Sequence, residues 1–201
     1  MEILNQILYW ISTGLMIPVM LILCFFFIRA LLAIGGFYGL YQKQLKSRKF
    51  LDEYLLQIER KGIERSELED DTMISSFVEK LINSRSAVFR DKVLDDYEIE
   101  MSRKLTSSKR MSKLGPVLGL LGTLIPMGPA LVGLASGDIG SMAQNMQVAF
   151  STTVVGLVVG AIGFLLTEIK QGWFAKELSN LTYIADLITE ENEKKKEQIL
   201  N

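Results

Sequence analysis

Apolar and charged positions along this chain are sorted into long blocks. No charged residue occurs in residues 3–28, 114–137 or 139–167. Each block exceeds the ~20 residues that a helix needs to cross ~30 Å of hydrocarbon. The blocks predict an all-α integral membrane protein with three transmembrane helices and long helical extensions between and after them. The expected segments are a first transmembrane helix with an inner extension (1–41), a charge-rich helical segment (42–113), a second span (114–137), an outer turn (138–141), a third span (142–169), and a C-terminal helix and tail (170–201).

Outside the blocks the apolar residues recur at helical spacing. Leu45, Phe50, Leu51, Tyr54, Leu55 and Ile58 share one face, with Gly62 as the expected stop. Ile74, Phe77, Val78, Leu81 and Ile82 mark a second helix over 71–84. A third begins near Val88 and runs on into the second span, because no proline lies between Pro18 and Pro116 to end it. In the tail, Leu178, Leu181, Ala185 and Ile188 form another face. A core drawn from residues 42–113 alone is thin, so these helices are expected to pack on their membrane extensions and on neighbouring subunits.

Charge placement orients the chain. Of its Lys and Arg residues, sixteen fall between Lys43 and Lys113 and five from Lys170 onward, with none in the first six residues or the short turn. The positive-inside rule then places the N-terminus outside and residues 42–113 and the C-terminus in the cytoplasm of an inner or plasma membrane. Tyr9, Trp10, Phe37–Tyr41 and Trp173 fall near the expected interfaces, and Arg29 is expected to reach the inner headgroups. The first block is too long for a signal-peptide core and has no basic segment before it. The lone Cys24 excludes an intrachain disulfide framework. With no histidine, the chain lacks the commonest metal ligand and the usual proton relay near neutral pH. The lysines are balanced by acids, at a net charge of −1, so a nucleic-acid surface is not expected. No nucleophile–base pair, metal cluster or phosphate loop is visible, and the expectation is a protein without enzymatic activity, cofactor or metal.

What the spans do offer is small and hydroxyl residues in register. Pro116, Gly119, Thr123, Pro126 and Ala130 share one face of the second span, and Ala149, Thr153, Gly156, Gly160, Gly163 and Thr167 share one face of the third. Such stripes let membrane helices approach closely. Packing explains the glycines; the threonines either bond back to their own helix or serve a passing ligand. Pro126 removes the donor for the Gly122 carbonyl and Pro129 the donor for Ile125. A kinked or unwound outer half lining protein or water follows. Thr123 and Thr153 are the pore-lining candidates. Pro116, Gly119, Gly122, Pro126, Pro129, Gly156 and Gly160 are the packing or gating candidates.

The string GPVLGLLGT, followed by a hairpin into AFSTTVVGLVVGAIG, resembles the MotA/TolQ/ExbB proton-channel family, closest in span number to its ExbB/TolQ branch. The family signature has a Pro and then GLLGT in the second-last span, and A-x-x-x-T-x-x-G-L in the last. Here these are Pro116, Gly119–Thr123, Ala149, Thr153, Gly156 and Leu157. The resemblance implies a homopentamer around the single-span helices of an ExbD-, TolR- or MotB-like partner that brings a transmembrane aspartate. It implies an ion-driven motor, with Thr123 and Thr153 hydrogen-bonding that aspartate or nearby water. Two positions depart from the pattern: Val148 stands where ExbB-like chains carry a glutamate, and Pro126 stands where the family commonly has glycine. A non-conducting scaffold and a solute-transporter subunit are the rival readings.

Overall fold

The computed structural model describes the backbone of residues 2–61, 73–84 and 86–200. Its elements are four helices: α1 (Glu2–Lys61), α2 (Met73–Ile82), α3 (Ala87–Ala135) and α4 (Ile139–Leu200). Among the described residues there is no strand. Three helices, α1, α3 and α4, are long and apolar enough to cross a membrane. The chain is thus an all-α membrane protein. Gly62 and the first two residues expected for the second helix lie outside the described residues.

No helix breaks where an apolar block meets a charged segment. α3 carries its charged half directly into the second span, and α4 carries the third span directly into the tail. The chain divides into two compact units, one of Met1–Gly36 with Thr106–Glu168, the other of Phe37–Leu105 with Ile169–Asn201. These boundaries fall somewhat before the charge transitions at 41, 113 and 169.

In the first unit, α3 and α4 are joined by a tighter turn than the expected 138–141. Only residues 136–138 lie outside helix, and α4 begins at Ile139. Gly137, at φ 75°, takes the left-handed conformation after the α3 C-terminus. Its N–H donates to the Leu134 carbonyl and that of Asp138 to the Gly133 carbonyl. Asp138 then caps the next helix, its Oδ1 accepting from the Ser141 N–H at 3.0 Å. The last orphan groups of one helix and the first of the next are thereby satisfied within three residues.

The second unit has a buried core to which all four helices contribute. Leu51, Tyr54 and Ile58 of α1, Phe77, Val78 and Leu81 of α2, Val93, Tyr97 and Met101 of α3, and Leu181, Ile184 and Ile188 of α4 form one buried cluster. The three faces expected on α1, α2 and the tail of α4 are faces that pack, with Leu45 alone of their residues exposed; the face that α3 adds was not expected. The tail of α4 supplies the fourth wall, which a count over residues 42–113 omits. Arg90, buried, sits just beyond α2 and donates to the Ser84 carbonyl at 3.5 Å and to Thr189 Oγ1 at 2.8 Å. Phe37 and Tyr41 gather around Trp173, with ring centroids 5.6 and 6.0 Å away. The side chain of Tyr9 lies outside the described ones.

Candidate functional site

The first unit is built around a seam between α3 and α4, and glycine decides its depth. A Cβ added at Gly156 would lie 2.6 Å from the Gly115 carbonyl oxygen and 2.6 Å from Gly119 Cα. One added at Gly115 would lie 2.7 Å from the Gly160 nitrogen, and one at Gly160 would meet the Pro116 ring at 2.7 Å. Backbone therefore touches backbone, the close approach that supplies packing energy where no hydrophobic driving force exists between helices. The pairs descend in order, Gly115 with Gly160, Gly119 with Gly156 and Gly122 with Thr152, so the helices run antiparallel. By contrast, a Cβ added at Gly35, Gly36 or Gly39 of α1 would meet nothing within 4 Å among the described residues.

The axis of the seam is rotated from the stripe expected on α3. Gly119, Pro126 and Ala130 are buried, whereas Pro116 and Thr123 are half-buried at its shoulder. On α4, Ala149, Gly156, Gly160, Gly163 and Thr167 are buried, but the threonine inside the seam is Thr152, with Thr153 at the edge. Thr152 closes over Gly122, where an added Cβ would lie 2.6 Å from Thr152 Cβ. The stripe read from the sequence does not include Thr152. Its signal was its spacing of three from Ala149 and four from Gly156.

Thr123 and Thr153 nonetheless share a place. At about 100° per residue, each lies roughly 70° round its helix from the seam axis. Because the helices are antiparallel, these two rotations point to the same side. The pairing of Gly122 with Thr152 also sets them level along the seam. Both hydroxyls donate to their own helix, Thr123 Oγ1 to the Leu120 carbonyl at 2.7 Å and Thr153 Oγ1 to the Ala149 carbonyl at 3.2 Å. A hydroxyl whose proton is committed in this way presents lone pairs only, so it accepts from water or a protonated acid.

The prolines do not unwind the outer half. α3 remains helical through Pro116, Pro126 and Pro129 to Ala135. The ring of Pro126 is fully buried and that of Pro129 half-buried, so the positions lacking a donor turn toward protein. Neighbouring helices are what make such positions tolerable in a membrane helix. Val148 is half-buried and Gln147 exposed beside it, and no ionisable side chain occurs within residues 114–137 or 139–167. At the other end of the unit, the exposed Arg29 guanidinium donates to Ser107 Oγ at 3.0 Å.

Wide apolar faces remain on the outside of this unit, including Val117, Leu124, Leu131 and Val132 of α3 and Phe150, Val154, Leu157 and Leu165 of α4. Exposure of this kind suits lipid or further membrane helices. Comparison with curated proteins gives no match, and neither does comparison with solved structures. A match does come from the profile of one family, over residues 57–182, which includes the whole seam and the charged half of α3. The chain belongs to the MotA/TolQ/ExbB proton channel family.

Proposed function

We propose that this chain is the ring-forming subunit of a proton-driven membrane motor. Five copies surround the span of an ExbD-, TolR- or MotB-like partner, whose aspartate carries the proton past Thr123 and Thr153. The N-terminus and the 136–138 turn face outward, and the second unit lies in the cytoplasm. The three-span arrangement favours the ExbB/TolQ branch. What carries this reading is two hydroxyls, level on one flank of the seam, in spans that contain no ionisable group of their own.

The mechanism follows from what those hydroxyls can do. Since each has donated its proton, the pair favours a neutral carboxylic acid, whose one O–H can donate to either of them, over a carboxylate, which cannot donate. A partner aspartate protonated from outside is therefore held between Thr123 and Thr153 while neutral. It loses its proton inward and moves the partner relative to the ring. Gly115, Gly119, Gly156 and Gly160 fix the geometry of this track. Val148 leaves the ionisable role to the partner.

The test is proton flux in the reconstituted complex with its partner. Thr123→Val and Thr153→Val change little volume; together they are expected to lower flux about tenfold or more, from ~1 kcal/mol per lost hydrogen bond. Full flux in the double variant defeats the role given to the hydroxyls, whereas no flux in the unaltered complex favours the scaffold reading, for which the commitment of both protons to the helix also speaks. Separate proton and sodium gradients decide the ion, and a response to sodium alone defeats the proton assignment. The transporter reading rests on a broken outer helix, and α3 is unbroken there.

A further inference from the structure

The second unit holds a cavity of about 650 Å³ whose lining is unusual in its charge. Four lysines from three helices line it: Lys43 and Lys46 of α1, Lys104 of α3 and Lys170 of α4. One carboxylate joins them, that of the buried Glu177. Its oxygens already accept from neutral donors, Oε1 from Gln44 Nε2 at 2.6 Å and Oε2 from the Tyr97 hydroxyl. Among the described lining residues the cationic side chains thus outnumber the carboxylate. The remaining described lining is largely apolar and includes Met73, Ile74, Met101 and Trp173.

A lining that is both strongly cationic and apolar fits a ligand with an anionic head and a hydrocarbon body. The volume lies within the ~300–1,000 Å³ of small-molecule sites. In sequence, Lys43 comes two residues after the charge-free run 30–41, and Lys170 three residues after the run 139–167. Trp173 stacks on Phe37 and has Tyr41 tilted beside it, and Trp and Tyr are the types that collect at headgroup level. Basic pockets between helices next to a membrane hold acidic headgroups.

We propose that this cavity binds an acidic phospholipid of the surrounding membrane. The phosphate sits among Lys43, Lys104 and Lys170, and the first carbons of an acyl chain lie against Met73, Ile74 and Met101. The proposal depends on the chain's being a membrane protein and is independent of the motor reading.

Trp173 reports on the site. In the full-length Trp10→Phe protein in nanodiscs, phosphatidylglycerol brominated near the head of its acyl chain is expected to quench Trp173 at least about twofold more than equally brominated phosphatidylcholine. Replacing Lys43, Lys104 and Lys170 together by Gln is expected to erase that preference, and replacing them by Arg to keep it. Neutralising Lys109, Arg110 and Lys113, which removes equal charge elsewhere, is expected to leave it intact. Equal quenching by the two lipids overturns the proposal, as does a preference that survives the triple glutamine change or fails with Lys109, Arg110 and Lys113. Relief of quenching by micromolar ATP or glycerol 3-phosphate also overturns it, in favour of a soluble anion.

Discussion

Two tyrosines show how much the surroundings of one hydroxyl decide. Tyr97 donates to a buried carboxylate, whereas the buried Tyr54 hydroxyl has no partner among the described residues. Tyr97→Phe is expected to destabilise the protein by about 1.5–3 kcal/mol, because Glu177 stays buried with one donor fewer. Tyr54→Phe removes an unsatisfied group and is expected to be neutral or slightly stabilising. Thermal unfolding in detergent, followed by circular dichroism, separates the two. Titration gives a second reading. Burial, together with the charge and hydrogen bond of Glu177, raises the Tyr97 phenol far above its ordinary value of 10.0, and burial raises Tyr54. The unfolded chain thus releases these protons near pH 10 while the folded chain keeps them. Stability from this source is complete below that pH and falls as pH rises above it. Tyr97 is expected to ionise only with unfolding, seen by absorbance near 295 nm.

Among elements, the α3–α4 seam is the least tolerant. Gly156→Ala sets a methyl 2.6 Å from backbone atoms of Gly115 and Gly119, which cannot turn aside as a side chain can. Separation of the helices is expected to cost about 1–3 kcal/mol and to move Thr123 relative to Thr153. Gly172→Ala, on the same helix with nothing within 4 Å, is expected to stabilise by up to about 1 kcal/mol through helix propensity. Equal stability changes in the two variants, measured by thermal unfolding, contradict the backbone-to-backbone seam. Pro126 belongs to the same logic. The helix continues through it, and its ring turns inward to protein.

At the scale of the whole molecule the open quantity is topology. With Cys24 replaced by Ala the chain is cysteine-free, and single cysteines then report on each side. A cysteine at Ser136 is expected to react with a membrane-impermeant maleimide from outside intact cells, and one at Lys194 only after the membrane is opened. The reverse pattern inverts the proposed orientation and with it the direction of ion flow. The exposed apolar faces of α3 and α4 need lipid or further helices to cover them.

What the sequence determined by itself was each long helix and, on the inner part of α1, on α2 and on the tail of α4, the face that is buried. Burial of apolar surface acts on local periodicity, and periodicity is written in the chain: the three charge-free blocks, the Leu51–Tyr54–Ile58 and Leu181–Ile188 faces, and the family signature around Thr123 were all legible there. Rotation and pairing were not. A step of one residue turns a side chain by about 100°, so only contact with Gly122 could decide that Thr152 enters the seam and Thr153 flanks it. Unbroken helix through Pro126 and Pro129 depends likewise on a neighbouring helix. Tyr97 and Glu177 meet across eighty residues, and no local pattern encodes a meeting that α3 and α4 make only once both are packed.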